Sequence, residues 1–146
     1  MNTGATSRQN DDMPIPREGI LVTQLLIVRD VARSRAFYCD ILGAHALRDG
    51  SPAILRFFNT WLILSPEGEA TDDRPGVDAR APGEAKILTS ALNLRVADIQ
   101  DIYERWLSRG ADFLTPPKQH ASEIRCYLRD PDGHLIEVGQ ATGTYA

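Results

Sequence analysis

Hydrophobic and polar positions fall into two runs of alternating character that repeat along the chain. "LVTQLLIVRD", from 21 to 30, is apolar and rich in branched residues, which predicts a buried strand ending at Asp30, a good helix N-cap. "VARSRAFYCDILG" then places Val31, Ser34, Phe37, Tyr38, Ile41 and Leu42 on one side of a helix, with Gly43 positioned to end it. Strands are predicted around 45 to 49, over "AILRFF" (53 to 58) and over "WLILS" (61 to 65), the last two joined tightly through "NT". The same order returns. "SALNLRVAD" (90 to 98) reads as a strand ending in Asp98, and Ile99, Ile102, Tyr103, Trp106 and Leu107 form the apolar stripe of a helix that stops at Gly110. Further strands are predicted at 112 to 116, over "EIRCYLR" (123 to 129) and over "HLIEVG" (134 to 139), where "DPDG" supplies a turn.

Asp30 and Asp98 lie 68 positions apart, and at that spacing Leu26 meets Leu94, Val28 meets Val96, Val31 meets Ile99 and Tyr38 meets Trp106. A spacing kept through strand, cap and helix indicates a duplicated unit. The organisation expected is a disordered tail over 1–18, one domain over 19–140 and a short tail over 141–146. Within the domain, module one covers 20–65, a Pro-, Gly- and acid-rich linker 66–86, and module two 87–140.

Two βαβββ modules carrying "LLIVRDVARSRAFYCDILG" and "LNLRVADIQDIYERWLSRGADFLTPP…YLRDPDGHLIEVGQ" resemble the vicinal oxygen chelate superfamily, which contains glyoxalase I, bleomycin-resistance proteins and extradiol dioxygenases. The resemblance implies an α+β fold in which tandem modules form a curled mixed sheet, a cup, with helices on the outer face and ligands inside. It also implies a homodimer. Enzymes of the superfamily hold a divalent ion on inward side chains from the first and last strand of each module. The first-strand position falls on Thr23, with Gln24 beside it, in module one and on Ala91 in module two; the last-strand position falls near Ile63 and on Glu137. Glu137 alone is a strong ligand, whereas a catalytic metal needs about three protein ligands and an open position. His134, one step after the turn, should point away from the side of Glu137. The expectation is therefore a protein without the usual metal, with Gln24 and Glu137 as ligands should nickel, zinc, iron or manganese bind.

Alternation supplies the remaining candidates. If Ala91 faces the cup, so do Asn93 and Arg95, while Leu92, Leu94 and Val96 pack under the helix. Glu123, Arg125, Tyr127 and Arg129 likewise share one face. Arg95 or Arg125 is expected to pair with Glu137, or to offer a positive group to a carboxylate or phosphate. Two readings stay open for Glu137: a structural carboxylate paired with an arginine, or a general base whose pKa burial raises. Cys39 and Cys126 read as packing thiols, and "PPKQH" (116 to 120) as a loop in which Lys118 and His120 border an entrance.

Composition changes this picture only by exclusion. A net charge of −4 gives no electrostatic reason for nucleic-acid or anionic-membrane binding, and the two cysteines have no metal-type spacing. No apolar run reaches bilayer-spanning length, so a cytoplasmic protein is expected. Its expected function is to hold a small organic molecule in a cup lined by Thr23, Asn93, Arg95, Arg125, Tyr127 and Glu137. The alternatives are a metal-dependent lyase, isomerase or dioxygenase with an atypical ligand set, and a non-catalytic structural or interaction domain.

Overall fold

The computed structural model describes residues 12–83 and 86–143. Residues 1–11 and 144–146 of the two expected tails, and residues 84 and 85 of the expected linker, lie outside the described residues. The chain divides between Ala81 and Pro82 into two compact units.

In the first unit β1 (Gln24–Val28) leads into α1 (Val31–Ala36), which runs on as a π-helical turn (Phe37–Ile41) before β2 (His45–Arg48), β3 (Ala53–Phe57) and β4 (Thr60–Pro66). The sheet order is β1-β4-β3-β2, with β1 parallel to β4 and the other pairs antiparallel. Leu26, Val28, Leu55, Phe57, Leu62 and Leu64 alternate onto one face and are buried there, with the Tyr38 ring set edge-on to Phe57. The hairpin between β3 and β4 turns through Phe58 and Asn59, one residue earlier than "NT", with Phe58 in the left-handed region at φ 53°. Of the expected disordered tail, Asp12 is held by Trp61, whose Nε1 donates to its carbonyl at 2.7 Å.

The second unit repeats the plan: β5 (Leu92–Arg95), α2 (Ile99–Ser108), β6 (Asp112–Phe113), β7 (Lys118–Gln119), β8 (Glu123–Arg129) and β9 (Leu135–Ala141). Its order is β5-β9-β8-β6, with β5 parallel to β9 and β7 also paired to β8, inside the stretch expected to be a loop. Ile99 and Trp106 of the helix are buried, as are Cys126, Leu128, Ile136 and Val138 of the sheet. Each unit is thus a βαβββ arrangement of mixed sheet and helix, the second with β7 as an additional two-residue strand, in the α+β class expected.

The repeat extends to atoms. Asp30 Oδ1 accepts from Arg33 N at 3.0 Å and Asp98 Oδ1 from Asp101 N at 3.1 Å, so both helices start on an aspartate cap. Both units leave their helices through a left-handed glycine, Gly43 at φ 87° and Gly110 at φ 99°. The "DPDG" turn is organised by buried Asp130, whose Oδ1 accepts from the backbone N–H of Asp132 and of His134, each at 2.9 Å. That carboxylate aims the chain into β9 and so fixes the register of Glu137.

The segment after β4 folds upon itself. Gly68 and Ala79 bond reciprocally at 3.0 and 2.8 Å, Ala70 N donates to Asp78 Oδ1 at 2.9 Å, and Ala81 N donates to Glu67 Oε2 at 2.9 Å. Two of its acidic residues, Glu67 and Asp78, accept from backbone donors. Among the described residues no helix is long and apolar enough to cross a membrane.

Asp98→Ala removes one cap and is expected to lower unfolding free energy by about 1 kcal/mol. Ile136→Ala opens the packed face and is expected to cost roughly 2–5 kcal/mol. Urea denaturation followed by tryptophan fluorescence checks both, and equal costs would contradict the assignment of Ile136 to the core.

Candidate functional site

The second unit's sheet has one face under α2, where Leu92 and Leu94 stand in register with Ile136 and Val138. The opposite face carries the polar candidates. Asn93, Glu137 and Tyr127 are register partners across β5, β9 and β8, which lines up an amide, a carboxylate and a phenol in one row. Asn93 Nδ2 donates to Glu137 Oε1 at 2.7 Å, and the Tyr127 hydroxyl donates to Glu137 Oε2 through a short hydrogen bond. Bonds to a charged acceptor are the stronger kind, so this half-buried carboxylate is held at both oxygens. Its hydrogen bond to Glu137 holds the Tyr127 pKa above the ordinary phenol value, with desolvation and the carboxylate's charge adding to the effect.

Two residues further along β5 and β9, and two back along β8, lies a second row: Arg95, Gly139, Arg125 and, on β7, Lys118. One of the arginines was expected to pair with Glu137 or else to offer a positive group to an anion. Both converge instead on Glu123, with Arg95 Nη1 at 2.8 Å from Oε2 and Arg125 Nη1 at 3.2 Å from Oε1. The reason is register: both arginines stand one strand repeat away from Glu137, while Glu123 lies beyond Arg125 on β8. Gly139 makes the arrangement possible, since a Cβ there would fall 2.2 Å from Arg95 Nη1. Gly139 was not among the expected site residues, and Glu123 was placed on the face of Arg125 without a role; the signal available was their two-residue offset from Glu137 and Arg125.

In the first unit the corresponding row is Leu25, Ile63 and Ile54, entirely aliphatic. Thr23 stands half-buried one residue before β1. Gln24 is in register with buried Leu62 and shares a face with Leu26 and Val28, and its Nε2 donates to the Leu25 carbonyl at 3.2 Å. Burial pushes the Cys126 thiol up to about 11 and raises Cys39 as well, which disfavours thiolate at either position.

The residues present do not fit the family's divalent ion. The four positions hold Thr23, Ile63, Ala91 and Glu137, and Ala91 and Ile63 end in hydrocarbon. Glu137 already accepts a bond at each oxygen, and no group of three or more His, Cys, Asp or Glu among the described residues is placed to hold a metal.

The fold is that of a duplicated βαβββ protein, and residues 20–138 match the family model for the Glyoxalase/Bleomycin resistance protein/Dioxygenase superfamily. The chain belongs to that superfamily. It is similar to a probable lactoylglutathione lyase of Synechocystis, 26% identical over 84% of this chain and 95% of the relative. It is also 33% identical to the metallothiol transferase FosB of Shouchella clausii over 60% of this chain, which spans about half the length of that relative (54%). A crystal structure of a glyoxalase/bleomycin resistance protein/dioxygenase from Nocardioides shares the fold, with a TM-score of 0.68 at 22% identity over 99% of both chains.

Tyr127 is expected to titrate above its ordinary pKa, and Glu137→Gln to bring it back down. The neutral phenol is favoured by the fold, so this contribution to stability is complete below the unfolded tyrosine pKa of about 10. It is lost as pH rises through the higher folded value. NMR of tyrosine Cζ carbons across alkaline pH checks the shift, and an unchanged Tyr127 pKa in the Glu137 variant would contradict the bond.

Proposed function

We propose that this chain binds a small organic molecule on the polar sheet face of its second unit, with Glu137 as the central acceptor and without the divalent ion common in its superfamily. The observation that carries the reading is the Asn93–Glu137–Tyr127 row. A carboxylate has about four lone-pair sites, so each oxygen keeps capacity for a ligand O–H or N–H after accepting its protein bond. Asn93 and Tyr127 fix its orientation in advance, which reduces the entropy lost on binding. Should the bound molecule react, Glu137 is the group that takes a proton and Tyr127 the group that returns one. Arg95 and Arg125 border the site.

Membership in the superfamily supports small-molecule binding. The metallothiol transferase name of one relative supports a metal-dependent reading, but the donor set favours the metal-free one. The proposal includes a homodimer, supported by exposed apolar side chains at Ile20, Val22, Leu25 and Ile87.

A thermal-shift screen over aldehyde–thiol adducts, catechols and glycopeptide-type drugs is expected to find a stabilising compound, because ligand at about 100 times Kd adds about 2.7 kcal/mol. Glu137→Ala should weaken that compound about tenfold or more, and Tyr127→Phe by less. Metal content after gentle purification is expected to lie well below one equivalent. A stoichiometric ion that departs with Glu137→Ala would overturn the metal-free reading. Sedimentation equilibrium should return twice the chain mass, and a monomer at all concentrations would remove the dimer.

A further inference from the structure

The polar face of the second sheet holds two half-buried glutamates, and the fold answers them differently. Glu123 is met by guanidinium groups, Arg95 Nη1 at 2.8 Å and Arg125 Nη1 at 3.2 Å. Glu137 is met by neutral donors only, the Asn93 amide and the Tyr127 hydroxyl, and among the described residues it forms no ion pair. The basic residues of this face stand at other levels: Arg95, Arg125 and Lys118 one strand repeat to one side, and Arg129, across from Asp112, one repeat to the other. A half-buried carboxylate without a counter-charge costs stability, and the sheet supplies counter-charges at Glu123. Beside Glu137 the same face is apolar. Leu114 N donates to the Tyr127 carbonyl at 2.9 Å, which continues the row beyond β8. Phe113 packs edge-on against Tyr103 of α2, so alternation turns Leu114 to the face of Tyr127, where it is 46% exposed. Leu135, two residues before Glu137 on β9, lies on that face as well.

We propose that the molecule bound at Glu137 is a small primary amine in its ammonium form, with an apolar group a short spacer away; the inference rests on Glu137 being a ligand contact. The ammonium donates to the lone pairs that Asn93 and Tyr127 leave on the carboxylate, and its charge is the partner that the fold gives to Glu123 and withholds from Glu137. A neutral hydroxyl makes the same bond without answering the charge, and charge-assisted bonds are roughly twice as strong as neutral ones. A ligand carboxylate meets Glu137 as a like charge. Leu135 and Leu114 receive the apolar group. Leu135 is one strand repeat from Glu137, about 7 Å, which sets a spacer of about one to three atoms between nitrogen and apolar group. An ammonium suits the place better than a guanidinium, because each carboxylate oxygen already accepts one protein bond and a compact charge needs no planar fork.

The test titrates the full chain with benzylammonium and 2-phenylethylammonium chloride, each beside the neutral alcohol of the same skeleton, by ligand-detected NMR at neutral pH. At least one amine is expected to bind about tenfold or more tightly than its alcohol. Glu137→Gln keeps an acceptor oxygen and removes the charge. It should bring the amine down to the level of the alcohol while the alcohol itself stays within about threefold of its affinity for the unaltered chain, which shows the variant to be folded. Glu137→Asp returns the charge at a shorter reach and should restore part of the preference. Equal binding of amine and alcohol to the unaltered chain, a preference that survives Glu137→Gln, or no binding of either amine overturns the ammonium assignment. The Glu137 reading is decided separately, by whether the compound found in the thermal-shift screen is weakened in Glu137→Ala.

Discussion

A carboxylate that faces away from the helix-covered side of a sheet, among aliphatic neighbours, must have its charge answered, and that requirement organises the second unit. Glu137 is answered by neutral donors, the Asn93 amide and the Tyr127 hydroxyl, placed at the same register level on the strands to either side. Neutral donors leave the site with a net negative group whose orientation is fixed and whose remaining lone pairs are available. An arginine in either place would have neutralised the carboxylate and closed it to a ligand. The arginines are present, but one strand repeat away, and Glu123 engages them there.

The two units show one backbone plan put to different uses. Strand order, aspartate caps and left-handed glycines recur in both. At the three cross-strand positions in question, the first unit has Leu25, Ile63 and Ile54 where the second has Asn93, Glu137 and Tyr127. Because side chains alternate across a strand, residues on the face away from the helix can change without disturbing the packed one. Leu62 and Leu64 in one unit, and Ile136 and Val138 in the other, stay buried and aliphatic while their neighbours diverge.

The fold was legible in the sequence because periodicity and caps report local, strongly constrained geometry. Asp30, Asp98, Gly43, Gly110 and "DPDG" each mark a backbone event with few chemical solutions. Edges were less legible. The strand expected over 112 to 116 stops at Phe113, β9 runs on to Ala141, and β7 forms within "PPKQH", since short edge strands depend on pairing rather than on propensity. The site was half legible. Alternation assigned Asn93, Arg95, Arg125, Tyr127 and Glu137 to one face, but partner choice depends on register between strands that are distant in sequence. The pairing of Arg95 with Glu123 joins residues on β5 and β8, which no local pattern connects.

Gly139 shows how much turns on that register. As a residue it reads as a weak point in a strand, with no side chain to pack. Its position between Arg95 and Arg125 gives it another meaning, because any Cβ would meet the Arg95 guanidinium at 2.2 Å. The glycine therefore lets one arginine lie across a strand to reach a carboxylate on the next, and that reach brings two cationic groups to one anion. Displaced by one residue, the same glycine would sit on the packed face beside Val138 and open a gap there. The chemistry offered by this sheet thus depends on a two-residue phase relation among Glu137, Gly139 and their partners on the strands at either side, which β9 inherits from the turn that Asp130 holds.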